Sequence, residues 1–391
     1  MIVNVAVILI VAMLFHYLME RLKLPGLLGF LFTGVLLGPY VINFISPELM
    51  FISAELRTTA LIVILIRAGL SIQRKTLNRV GKSAIKMSFI PCILEGSAIT
   101  FIGYQWLNLS LPEAGMLGFI LAAVSPAVVV PQMLHLKDKG FGKNREVPTL
   151  VLAGASIDDV FAITIFGIFL TAGTGAHPNI IALLLQAPLS IFLGIGLGLL
   201  IGYGFVLFFQ RYAMRDTRKV IIFMVIAILF YEISHHVPIA GLIGIMAMGF
   251  IILEKDNTLA FKLSMKFNKI WVLAEILLFV LIGAQVNIFV IFAAGPIGLA
   301  IIFTGLIARS TGVYLSLAGS SLSNKERLFC MIAYTPKATV QAAIGAVPLS
   351  MGIASGEWIL AVAVLAILVT APLGAAGIHI SSKRLLEASP E

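Results

Sequence analysis

The sequence predicts an all-α membrane protein of about thirteen transmembrane helices, and three observations carry that prediction. Hydrophobic residues make up 60% of 391 positions, whereas charged residues make up 12%. The mean hydropathy is +1.07, far above that of soluble globular domains. Apolar runs long enough to cross a hydrocarbon core about 30 Å thick recur along the whole chain between short polar breaks.

The expected spans are 2–19, 25–45, 55–72, 83–106, 114–135, 148–172, 179–210, 218–236, 239–254, 268–287, 290–318, 327–350 and 356–380. The first has no small-residue cleavage site behind it. It is followed by Glu20, Arg21 and Lys23, whereas a signal peptide carries its positive charge in front. It therefore reads as a retained helix. The seventh is the longest, and Gly194, Gly198 and Gly202 repeat along one face of it at a spacing that suits close helix packing.

The net charge of +9 follows membrane topology and forms no nucleic-acid surface. Basic clusters fall after every odd-numbered span, for example Arg74 to Lys86 after the third and Lys137 to Arg145 after the fifth. Of the 27 basic residues only Arg57, Arg67, Arg309 and Lys337 lie elsewhere. The positive-inside rule then places the N-terminus outside and the C-terminus in the cytoplasm, and the alternation itself requires an odd number of helices.

Against this background Asp158 and Asp159, side by side in the sixth span, stand out. Ionised groups at bilayer depth cost several kcal/mol by most estimates and are kept for function. Adjacent helical residues point about 100° apart, so the two carboxylates divide their labour instead of forming one symmetric ligand pair. A desolvated carboxylate beside a cation can hold either a proton or a metal ion. Such competition is sufficient to couple two fluxes in opposite directions without a covalent step. Hard oxygen ligands for sodium or lithium would come from Asp159, Asp158, the hydroxyls of Ser125 or Ser156, and carbonyls freed near Pro126.

The fifth and twelfth spans share a pattern. Ser125-Pro126 in one and Thr335-Pro336 in the other each sit about ten residues into a span, in runs that cross the bilayer in opposite directions. Proline removes a backbone donor and clashes one turn back, so both helices are expected to break. Inverted repeats with broken helices meeting at the midplane are a secondary-transporter device. Glu95 and Arg309, in the spans just before the breaks, keep the same symmetry and are expected to pair. Lys337 either neutralises the crossing helices or carries a proton, and both roles stay open.

The remaining polar residues have plainer readings. Arg67 and Glu275 are expected to snorkel or pair locally. His235 and His236, one turn after Glu232, read as a solvated helix end. Cys92 and Cys330 have no metal or redox spacing. No nucleotide-binding motif or long soluble domain appears, so transport would draw on an ion gradient. Concentration of acid in one site argues against a channel, and adjacency of the aspartates on one helix argues against an intramembrane protease, whose acids come from two helices. Potassium/proton exchange and sodium-coupled symport of an organic solute remain as alternatives.

The segments Val124-Ser-Pro-Ala-Val-Val-Val-Pro131, Val147-Pro-Thr-Leu150, Gly154-Ala-Ser-Ile-Asp-Asp159 and Pro336-Lys-Ala-Thr-Val-Gln-Ala-Ala-Ile-Gly345 together carry a resemblance. From about residue 85 to 380 the chain resembles the sodium/proton antiporters of the cation/proton antiporter superfamily, and within it the NHA branch of SLC9B-type exchangers, as a bacterial homologue. The resemblance implies the antiporter fold with inverted repeats and two crossing broken helices. It also implies Na+ or Li+ exchange for H+ by an elevator mechanism, no cofactor and no enzymatic activity. Further implications are a homodimer among membrane lipids and a bacterial inner-membrane location, with no nucleic-acid partner. It assigns Asp159 as the cation and proton carrier and Asp158 as the acid that pairs with a base. Implied domains are scaffold helices at 1–82 and 213–287, core repeats at 83–175 and 288–382, a linker helix at 176–212 and a cytoplasmic tail at 383–391. Electrogenic family members usually carry lysine where Arg309 stands, so the stoichiometry is not read from the sequence.

Overall fold

The computed structural model describes residues 2–387 apart from 23, 72–73, 175–179, 235 and 238. The side chains of residues 2, 75–80, 127, 131, 138, 143, 156, 157, 160, 180–188 and 293 also lie outside the described set. Lys23, His235 and the side chain of Ser156, singled out above, are therefore not described.

Helices account for all thirteen expected spans. In chain order they are α1 (Ile2–Arg21), α2 (Leu27–Leu37), the short α3 (Pro47–Phe51), α4 (Ser53–Ser71), α5 (Arg74–Trp106), α6 (Leu111–Leu121), α7 (Pro126–Asp138) and α8 (Val147–Thr174). There follow α9 (Ile180–Arg211), α10 (Asp216–Ser234), α11 (Gly241–Lys255), α12 (Asn257–Ala284), α13 (Ile288–Ser316), α14 (Asn324–Ala333), α15 (Thr339–Ile344), α16 (Val347–Ser350) and α17 (Gly356–Leu385). Among the described residues six stretches are long and apolar enough to cross a membrane: 3–21, 81–106, 189–211, 257–284, 294–316 and 356–385. Shorter apolar helices accompany them, two of which belong to the broken spans.

The tenth span starts at Asn257 and not at 268, because Asp256 Oδ1 accepts the Leu259 N–H at 2.9 Å and caps the helix there. Two further boundaries differ from expectation for local reasons. The second span is helical only to Leu37, not to residue 45. Gly38, with ψ of 172°, precedes Pro39, whose ring disfavours helical geometry in the residue before it. At the start of the fourth span Gly81 has φ 57° and ψ −146°, a conformation open to glycine at little cost, and it separates the basic segment 74–80 from the membrane helix 81–106.

The chain divides into two compact units. One comprises residues 53–78 and 178–278, where α11 packs against α9 and α4. A Cβ at Gly198 would lie 2.2 Å from the Gly244 carbonyl oxygen, and one at Gly194 would lie 2.5 Å from that of Ala240. The small-residue stripe of α9 thus lets two backbones touch. The other unit comprises residues 1–52, 79–177 and 279–391. Within it α6 and α7, the two halves of the broken fifth span, pack on α8, and α14, α15 and α16, the pieces of the broken twelfth span, pack on α17.

Candidate functional site

Both prolines mark real interruptions. Pro126 opens α7 with Ser125 as its N-cap residue, a position where the missing amide hydrogen costs nothing. The second break runs from Tyr334 to Ala338, between α14 and α15. The two breaks meet: the Ser125 N–H donates to the Pro336 carbonyl at 2.8 Å, and the Ser125 and Thr339 hydroxyls lie 3.5 Å apart. Thr335, matched to Ser125 on sequence, instead donates its hydroxyl back to Ile332 O of its own helix at 2.9 Å. The hydroxyl that faces Ser125 is that of Thr339, at a separation of 214 residues that also relates Glu95 to Arg309.

Around this crossing five charged side chains are buried: Glu95, Asp158, Asp159, Arg309 and Lys337. Arg309 Nε donates to Glu95 Oε2, and its Nη2 donates to Asp158 Oδ2 at 3.2 Å. Lys337 Nζ donates to the same Glu95 oxygen at 2.6 Å. Asp158 Oδ2 also accepts the Val124 N–H from the first break at 3.0 Å. The Lys337 N–H, in the second break, is taken by Thr370 Oγ1 of α17 at 2.8 Å. Asp159 differs from its neighbour: its Oδ1 is buried without a hydrogen-bond partner. Three acids and two bases leave one negative charge when all are ionised, and the unpaired oxygen sits on Asp159.

Tyr334, Gln341, Thr339 and Thr370 were not singled out individually on sequence. Gln341 and Thr339 lay within a quoted motif, whereas nothing local distinguishes Thr370 from other helical threonines that bond back to their own carbonyls. Tyr334 is fully buried with Arg309 over its ring at 5.8 Å.

Both broken spans begin with a capping box. Ser110 and Glu113 cap α6, and Ser323 and Glu326 cap α14. Each capping glutamate also reaches the other repeat. Glu113 Oε1 accepts the Ser355 N–H at 3.3 Å just before α17, and Glu326 Oε2 accepts from Arg145 Nη1 at 2.6 Å just before α8.

Residues given plainer readings behave accordingly. Arg67 Nε donates to Asn268 Oδ1 at 2.7 Å, with its guanidinium over Trp271. Glu275 lies along α12, and His236 and Glu232 are exposed at the end of α10, 4.0 Å apart. Cys92 and Cys330 are free and buried.

Comparison with known proteins adds an independent line. A family model described as sodium/hydrogen exchanger, transmembrane, matches residues 6–381. The chain is 32% identical to human sodium/hydrogen exchanger 9B2 over 383 residues, covering 93% of this chain and 70% of that protein. It is 31% identical to human sodium/hydrogen exchanger 9B1, covering 93% of this chain and 73% of that protein. In three dimensions it resembles the sodium proton antiporter MjNhaP1 from Methanocaldococcus jannaschii, with a TM-score of 0.83, 20% identity and 98% of each chain covered.

Proposed function

The chain belongs to the sodium/hydrogen exchanger family, and from that premise we propose that it exchanges Na+ or Li+ for H+ by alternating access, with cation and proton competing for Asp159. It is an integral membrane protein and needs no cofactor.

One observation carries the reading. In the buried cluster Asp159 keeps a fully buried oxygen with no hydrogen-bond partner, while Glu95 and Asp158 are engaged by Arg309 and Lys337. A single proton or a single monovalent cation on Asp159 neutralises the cluster. Both loaded forms are then equally acceptable to a low-dielectric path, and the empty, charged form is not. That difference couples the two fluxes. Arg309 keeps its proton under all ordinary conditions. With Lys337 held charged on Glu95, exchange is one for one and electrically neutral.

In this reading Ser125 and the carbonyls of the first break complete the cation's oxygen shell beside Asp159. Asp158 holds Arg309 in place. Pro126 and Pro336 keep the helices open. The repeats at 83–175 and 288–382 form the moving core of an elevator against a dimer scaffold from 1–82 and 213–287, linked through 176–212. The protein resides as a homodimer in a bacterial inner membrane, N-terminus outside and C-terminus inside.

The test is cation-induced collapse of a pH gradient in proteoliposomes, comparing sodium, lithium and potassium for the wild type, Asp159→Asn and Asp158→Asn. Sodium or lithium should collapse the gradient for the wild type and fail with Asp159→Asn. A wild type inert to sodium and lithium would sink the reading, and a response to potassium alone would move it to potassium/proton exchange.

A further inference from the structure

Gln341 has no part in the exchange chemistry above, yet its side chain is fully buried at the crossing of the two breaks. Its Nε2 donates to Ile120 O at 2.8 Å and to Ala123 O at 3.1 Å, carbonyls at the end of α6. Two acceptors fix the amide's orientation, since the flipped rotamer would set Oε1 against both carbonyl oxygens.

The peptide joining Ala123 to Val124 is thereby engaged at both ends. Its oxygen accepts from Gln341, and its N–H donates to Asp158 Oδ2 at 3.0 Å. A donor on the peptide oxygen polarises the unit and strengthens its N–H as a donor in turn. A continuous chain of hydrogen bonds thus runs from α15 of the second repeat, through the first break, to the carboxylate that meets Arg309.

We propose that Gln341 is a positioning residue for exchange: it holds the Ala123–Val124 peptide with its N–H on Asp158, keeps Asp158 engaged with Arg309, and so keeps Arg309 away from Asp159. The proposal rests on the reading of Asp159 as the carrier. The contacts between Arg309 and Asp158, at 3.2 and 3.5 Å, are long for a charge-assisted pair, which ordinarily closes to about 2.7–2.9 Å. Asp158 therefore depends on its backbone anchor. Without that anchor the guanidinium turns toward the adjacent acid and becomes an internal competitor of the transported cation.

The experiment is sodium-dependent exchange in proteoliposomes with Gln341→Met, which has similar length but no donor, and Gln341→Asn, which keeps the amide one methylene shorter. Initial rates are normalised to the monodisperse fraction. Gln341→Met should raise the KM for sodium roughly tenfold, the weight of one such polarised hydrogen bond, with kcat nearly unchanged, and Gln341→Asn should fall between. A structural role alone would lower the folded amount or kcat and leave KM in place, and that result overturns the proposal. Should Gln341→Met not fold, Gln341→Asn decides in the same way. An active wild type with unshifted variants removes this role alone. A wild type inert to every cation removes the exchange reading together with it.

Discussion

Replacing Glu95 by glutamine isolates the electrostatic argument, because one oxygen of Glu95 accepts from both Arg309 and Lys337 in a site 1% exposed. Glutamine keeps the shape and still offers one oxygen as an acceptor, but it removes the carboxylate the two cations share and, with Asp159 loaded, leaves the cluster with one positive charge in excess. Breaking a buried pair by removing one partner costs about 3–5 kcal/mol, and retention of one neutral hydrogen bond places this case near 3. For a chain of this size that corresponds to a fall of about 4 °C in apparent melting temperature. The assay is heating in detergent followed by size-exclusion of the surviving protein. The double variant Glu95→Gln with Lys337→Met supplies the internal control. It restores the original balance of charge and leaves Arg309 on Asp158, so about 1–3 kcal/mol of the loss should return. A single variant that melts with the wild type, or a double variant less stable than the single, would refute the reasoning.

Three further outcomes are expected. Saturating sodium, at about 100 times its dissociation constant, should stabilise the wild type by about 2.7 kcal/mol in the same melting assay and leave Asp159→Asn unmoved. Gly198→Ala should cost about 1–3 kcal/mol by overpacking, because its Cβ would fall 2.2 Å from Gly244 O, whereas alanine at Gly204, where a Cβ meets nothing within 4 Å, should be tolerated. Arg145→Met removes the 2.6 Å bond to Glu326 but spares the capping box, so it should cost about 1 kcal/mol in melting, and Glu326→Ala, which loses bond and cap together, should cost more.

The helices were legible because apolar length is what a bilayer demands, and every expected span is occupied. The breaks were legible too, although proline alone does not mark them. Pro91, Pro296 and Pro372 sit inside continuous helices and Pro39 ends the second span early, whereas the two prolines at the crossing follow a hydroxyl residue at matched positions. The sequence placed Thr335 opposite Ser125 because both precede a proline. In three dimensions the second break is longer, so the residue facing Ser125 is Thr339 at the start of α15. The acids and bases of the site were legible as charges in apolar spans. The neutral groups that orient them were not, since the use of Thr370 and Gln341 depends on which backbone groups the breaks free, and that is a property of the folded crossing.

The symmetry of the two repeats also indicates why the acids stand where they do. In each repeat the last helix accepts a backbone N–H from the break of its own repeat: Asp158 from Val124, and Thr370 from Lys337. The structural task is the same, and a threonine hydroxyl is enough for it. An aspartate in that position does the same work while adding a charge, and the charge engages Arg309, which is itself the counterpart of Glu95 at the common offset. Two matched positions of opposite charge thus pair across the repeats, and a third charge on a structural acceptor completes Arg309's ligation. The next residue on α8, Asp159, is then free of any structural duty. A carboxylate relieved of its neighbours in a site otherwise balanced is the condition under which one proton and one cation can replace each other without rebuilding the core.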